Sequence, residues 1–123
     1  MNGTNRRAKG MAGQREAAAA WTAATGLPAR NGGQSGMVGG MDMDQPAAVR
    51  IEVKRQETLA IPAWCRQAAK DAGHLPWVVL HRRSREPWRV TLNLDQLQAV
   101  TDAIREAQAL QLFATGDDQE LPT

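Results

Sequence analysis

The stretch Ala47-Ala48-Val49-Arg50-Ile51-Glu52-Val53-Lys54 alternates the β-branched Val49, Ile51 and Val53 with the charged Arg50, Glu52 and Lys54. Side chains two residues apart on a strand share a face. The pattern therefore predicts a strand with one apolar, buried face and one that is wet or chemical. Just ahead of it, Met41-Asp42-Met43-Asp44 delivers an acidic pair to the same neighbourhood. An Asp, a Glu and a Lys converging on one spot could hold a divalent cation and activate water. Magnesium takes oxygen ligands and keeps several waters, so Asp42, Glu52 and the main-chain carbonyl of Val53 suffice once a phosphate completes the shell. Lys54, on the face of Glu52, could orient the attacking water or stabilise charge on a pentavalent phosphorane. Such a grouping suits phosphodiester hydrolysis. By itself, however, Glu-x-Lys on a strand equally describes an exposed ion pair worth about 0 to 1 kcal/mol, and Asp44 stands close enough to compete with Asp42 for the first ligand position.

Working outward, Pro62 opens and Gly73 closes a helical stretch containing Ala63-Trp64-Cys65-Arg66-Gln67-Ala68-Ala69-Lys70-Asp71-Ala72, the Pro-in, Gly-out asymmetry of helix ends. Trp77-Val78-Val79-Leu80-His81 is a continuous apolar run of strand length, which predicts a central strand covered on both faces. Trp88-Arg89-Val90-Thr91-Leu92 alternates as its half-buried neighbour. Asp95 can cap a last helix with Leu97, Val100, Ile104 and Leu110 at helical spacing. Upstream, Arg6 to Thr25 is alanine-rich and ends at Gly26 and Pro28, which predicts another helix. Ala29 to Gly40 is glycine-rich and reads as a flexible loop or irregular hairpin, and it lacks the Gly-Lys-Ser/Thr ending of a phosphate-binding loop. The order is α-β-β-α-β-β-α, an α/β layer arrangement with a central sheet of about four strands.

With 123 residues the chain supports one domain with a modest core. That domain is expected over residues 1–115, with a mobile basic stretch at 1–10 and an acidic disordered tail at 116–123. No run of 18 apolar residues and no secretory leader is present, so a cytoplasmic location without a membrane partner is expected. The lone Cys65 excludes an internal disulfide and a thiolate cluster, which leaves it a packing role. The two His residues fit no zinc pattern, and Trp21, Trp64, Trp77 and Trp88 are read as core. The net charge of +2 hides an asymmetry: Met1 to Val90 holds 14 Lys/Arg against 7 Asp/Glu, whereas Thr91 to Thr123 holds 1 against 6. A basic body of this kind takes a polyanion as partner. Arg82, Arg83 and Arg85 in one loop, Arg6, Arg7 and Lys9 near the start, and Arg55 at the strand end are the expected phosphate contacts.

In these surroundings the chain resembles the PD-(D/E)xK nuclease superfamily, in particular the small Holliday-junction-resolvase-like endonucleases of phages and prophages. The resemblance runs from Arg15 to Leu94. It rests on Arg15-Glu16, on Met41-Asp42-Met43 where relatives carry Gly-Asp-Ile, on Ile51-Glu52-Val53-Lys54-Arg55, on Trp64-Cys65-Arg66-Gln67-Ala68 and on Pro76-Trp77-Val78-Val79-Leu80-His81-Arg82. It implies a restriction-endonuclease-like core, a mixed sheet flanked by helices. It also implies a Mg2+-dependent endonuclease acting on DNA, with Mn2+ able to substitute. Carried across, Asp42 and Glu52 are metal ligands, Lys54 is the catalytic lysine, Glu16 is an extra carboxylate from the first helix and Gln67 is the polar helix residue facing the site. Branched DNA as substrate follows from the resemblance alone. Symmetric cuts in a junction would require a homodimer. Two departures stand against the transfer: Met41 precedes the aspartate where relatives carry Pro or Gly, and Asp44 lies nearby. The rival readings are a non-catalytic DNA-binding or recombination accessory protein, and a small α/β interaction module with a chance Glu-x-Lys.

Overall fold

The computed structural model describes the backbone of residues 2–31, 40–42 and 49–120, and the side chains of residues 12–29 and 49–112. The chain forms α1 (Asn2–Thr25), β1 (Arg30–Asn31), β2 (Gly40–Asp42), β3 (Arg50–Arg55), α2 (Ile61–Ala72), β4 (Trp77–Arg82), β5 (Arg89–Thr91) and α3 (Leu97–Glu120), with a 3-10 turn over Leu94–Gln96 ahead of α3. It is an α/β arrangement. The strands lie in the order β1-β2-β3-β4-β5. Neighbours are antiparallel except β3 and β4, which are parallel and joined through α2. The sheet of the described residues has five strands against the expected four, because two short strands, β1 and β2, flank the glycine-rich stretch.

The β3 alternation sorts the core into two layers. Ile51 and Val53, beside their β4 partners Val78 and Leu80, pack with Ala17 and Trp21 of α1 and Val100 of α3. On the opposite face Trp77 and Val79 pack with Trp64, Ala68 and Ala72 of α2. The charged face of β3 is therefore not wet: Arg50 and Glu52 are buried along with Val49, Ile51 and Val53. The reason is topological. A crossover helix between two parallel neighbours must lie on one face of the sheet, and here that is the face bearing Glu52. β4 is buried from Trp77 to His81, covered on both sides as expected of a continuous apolar run.

Local chemistry fixes the helix ends. Pro lies in the first turn of α2 and Gly73, at φ 64°, ends it. Gly26, at φ 76°, ends α1, a conformation that costs glycine little. The last carbonyls of α1 are satisfied from α3: Gln108 Nε2 donates to the Thr25 carbonyl at 2.9 Å and Gln111 Nε2 to that of Gly26 at 2.6 Å. Near its middle α1 approaches β3 so closely that a Cβ on Gly13 would lie 3.0 Å from Arg55 Cβ.

α3 departs from the expected pattern at its start. Asp95 falls inside the 3-10 turn and does not cap the helix. The buried stripe is Val100 and Ala107 with Ala103 and Ile104 packed beside them, whereas Leu97 and Leu110 are exposed. Cys65 is a free thiol packed against the α2-side cluster, and burial raises its pKa. Trp21, Trp64 and Trp77 are buried, and Trp88 packs against the first layer. No helix among the described residues is long and apolar enough to cross a membrane.

Candidate functional site

Glu52, Lys54 and Gln67 meet on the α2 face of the sheet. Two-residue alternation puts Glu52 and Lys54 on one side of β3, and α2 lies over that side with Gln67 on its flank. Lys54 Nζ donates to Gln67 Oε1 at 3.0 Å and stands 3.7 Å from Glu52 Oε2. The latter distance is an ion pair and not a hydrogen bond. Glu52 is fully buried, and neither carboxylate oxygen has a hydrogen-bond partner among the described residues.

A buried carboxylate without hydrogen bonds strongly disfavours its charged form. Burial accordingly pushes the Glu52 pKa up to about 7; the positive charge of Lys54 opposes this, the negative charge of Asp71 adds to it, and Arg50 opposes it weakly. Near neutral pH the group is poised between a carboxylic acid and a carboxylate in need of a cation. Such a carboxylate fits a hard divalent ion, which would supply the missing oxygen contacts.

The backbone of β2 brings position 42 to the same side. Gly40 pairs with Glu52 and Met41 with Ile51, so alternation sets position 42 on the face shared by position 40 and Glu52. The side chain of Asp42 and the whole of Asp44 lie outside the described residues. Val53 lies between Glu52 and Lys54 and pairs with Leu80. Among the described residues no group of three His, Cys, Asp or Glu side chains is gathered for a metal.

Glu16 is not brought to this cluster. α1 packs on the Ile51/Val53 face, and Glu16 Oε1 accepts from Arg82 Nη1 at 3.0 Å and lies 3.5 Å from Arg55 Nε. Arg55 and Arg82 are register partners at the end of the parallel pair, and alternation assigns them to the α1 side. The same contacts occupy two of the expected phosphate-binding residues. Arg55 also approaches Glu57 at 3.5 Å, and Arg82 Nε donates to the Glu86 carbonyl at 2.7 Å. Arg83 and Arg85 are exposed in the turn between β4 and β5, with Arg85 at φ 65°. Arg6, Arg7 and Lys9 belong to α1 by backbone, and their side chains lie outside the described residues.

Three residues escaped the sequence reading. Glu57 anchors the β4–β5 turn, accepting from Ser84 Oγ at 2.6 Å and Ser84 N at 3.0 Å. These bonds, the hydroxyl's first, lower its pKa. His81 is buried, its Nε2 2.8 Å from Thr91 Oγ1 and its ring 5.6 Å from that of Trp64. Burial and then Arg89 lower its pKa. Asp71, one helical turn beyond Gln67, influences Glu52. Asp71 lies at i,i+4 spacing from Gln67, which becomes informative only with the direction of α2 over β3.

Two open pockets lie elsewhere. One of about 450 Å3 is lined by Glu16, Arg55, Glu57 and Ser84. The other, an apolar groove of about 440 Å3, is walled by Trp21, Leu80, Trp88, Val100 and Ile104. No protein-family model matches the chain, and no curated protein and no solved structure matches it.

Proposed function

We propose that the chain is a divalent-metal-dependent DNA endonuclease of the PD-(D/E)xK type with a restriction-endonuclease-like core. One observation carries the reading: a buried Glu52 with both oxygens unpartnered among the described residues sits beside a lysine that Gln67 holds in position. Glu52 and Asp42 would hold Mg2+ or Mn2+, with the Val53 carbonyl as a third oxygen. The ion supplies acidified water and neutralises charge on the phosphate. Lys54 stabilises the developing charge and orients the nucleophile, and Gln67 fixes where the ammonium stands. Arg83 and Arg85 hold the DNA backbone without reading sequence. Glu16 acts in this reading through Arg55 and Arg82, not as a ligand. Branched DNA as substrate, a two-fold dimer and a role in phage DNA recombination or processing in the cytoplasm go with the resemblance.

The test is cleavage of a labelled four-way junction, flap and linear duplex with Mg2+, Mn2+ or chelator, by the parent and by Glu52→Ala and Lys54→Ala. The expected outcome is metal-dependent cleavage by the parent alone. Unchanged cleavage by either variant refutes the site assignment.

The full burial of Glu52 favours a second reading, a DNA-binding accessory protein in which Glu52 and Lys54 form a structural ion pair. DNA binding without cleavage of any substrate under all metal conditions would select it.

A further inference from the structure

We propose that Asp71 is a further cation ligand, contributed by α2 from the solvent side to the ion that Glu52 holds from within; this rests on the divalent-metal reading above. The first support is the path of the chain. Because β3 and β4 are parallel and adjacent, the helix connecting them runs antiparallel to both. Gln67 is fixed over Lys54 by their 3.0 Å hydrogen bond. Moving from Gln67 to Asp71 advances about 6 Å along the helix. Stepping back from Lys54 to Glu52 covers about 6.6 Å along the strand, in the same direction. Asp71 therefore stands over Glu52 as Gln67 stands over Lys54.

The second support is independent of the first. Glu52 is fully buried and, among the described residues, both its oxygens lack a hydrogen-bond partner, so an acceptor-only group faces the space beneath α2 with Lys54 3.7 Å away and the charge of Arg50 also acting on it. A cation held between the two carboxylates would give the buried one the contact it lacks. A hard divalent ion with remaining water ligands suits one buried and one exposed carboxylate. Asp71 is exposed, which leaves the ion an entry path and lets the residue be replaced without disturbing the core.

The experiment is Mn2+ titration of the full-length protein by calorimetry, for the parent, Asp71→Asn, Glu52→Gln and the surface control Asp102→Asn, with circular dichroism to check folding. The expected result is Mn2+ binding by the parent and the control, loss of binding in Glu52→Gln and affinity weaker by about tenfold or more in a folded Asp71→Asn. Parent-like affinity in Asp71→Asn alongside loss in Glu52→Gln overturns the role of Asp71 and leaves the metal reading standing. No Mn2+ binding by the parent overturns both. Paramagnetic broadening gives a second readout: bound Mn2+ should broaden the Asp71 and Gln67 amide resonances, and their persistence with Mn2+ bound overturns the assignment.

Discussion

Lys54 Nζ donates to Gln67 Oε1 at 3.0 Å across thirteen residues of chain, tying the outer end of β3 to the middle of α2. The bond is part-buried and holds the ammonium 3.7 Å from Glu52. Gln67→Ala should cost about 1 kcal/mol in urea unfolding, the net worth of such a bond. If the chain is the endonuclease proposed above, the variant should lower kcat by about tenfold to 100-fold with little change in KM, because the ammonium is misplaced but the phosphate contacts remain. A matched fall in stability and in kcat/KM with kcat unchanged would contradict this positioning role.

Stability should depend on pH through Glu52. Its folded pKa, about 7, is above the ordinary 4.5, so the folded state binds this proton more tightly than the unfolded state. The contribution is fully present below pH 4.5 and is lost as pH rises through 7. By linkage it amounts to about 3 kcal/mol at most. Urea unfolding in chelator at pH 5 to 8 should show the parent losing stability relative to Glu52→Gln as pH rises. Added Mn2+ should restore part of the loss at pH 8 by binding the carboxylate form. A parent that gains on Glu52→Gln with rising pH would contradict it.

What the sequence made legible was the periodicity. Alternation at Val49, Ile51 and Val53 and the continuous run at 77–81 identified the central strands, and Pro62 and Gly73 bounded the crossover helix. The same spacing put Glu52 with Lys54, and α2 sets Gln67 within hydrogen-bond distance of Lys54. Periodicity does not say which layer covers which face, so the burial of Glu52 under α2 was not legible. Nor was the partnership of Glu16 with Arg55 and Arg82, which depends on α1 crossing the other face. Leu97 and Leu110 sit at helical spacing yet are exposed, because the face that α3 buries carries Val100 and Ala107 instead. Asp71 was hidden because its position matters only once the direction of α2 relative to β3 is known.

α1 is held at its end by α3. Gln108 and Gln111 donate to the carbonyls of Thr25 and Gly26 at 2.9 and 2.6 Å, filling acceptors that a helix terminus leaves unpaired. Both glutamines are exposed, so each bond should contribute at the low end of the usual range. The double variant Gln108→Ala/Gln111→Ala should lose about 1 kcal/mol in total. Hydrogen exchange should show the loss as faster opening of the last turn of α1, with the β3–β4 pair unchanged. Faster exchange spread evenly over the sheet would instead make α3 part of the global unfolding unit.

The arginines of the β4–β5 turn divide into two classes. Arg82 is committed to Glu16 and to the Glu86 carbonyl, whereas the side chains of Arg83 and Arg85 are exposed and Arg83 takes part in the turn through its backbone carbonyl, which accepts from Glu86 N at 3.1 Å. Glu57 holds the turn between them through Ser84. Each phosphate neutralised by a free cation adds about one to the slope of log K against log salt. Arg83→Ala/Arg85→Ala should therefore flatten that slope by about two and weaken binding to every duplex alike. Arg82→Ala should leave the slope nearly unchanged while freeing one side of Glu16. Glu57→Ala should speed amide exchange at Ser84, and by loosening the turn it should weaken DNA binding less than the double arginine variant does. Filter binding at several salt concentrations measures all three. An equal slope for parent and Arg83→Ala/Arg85→Ala would show that the DNA, if bound at all, is held on another surface.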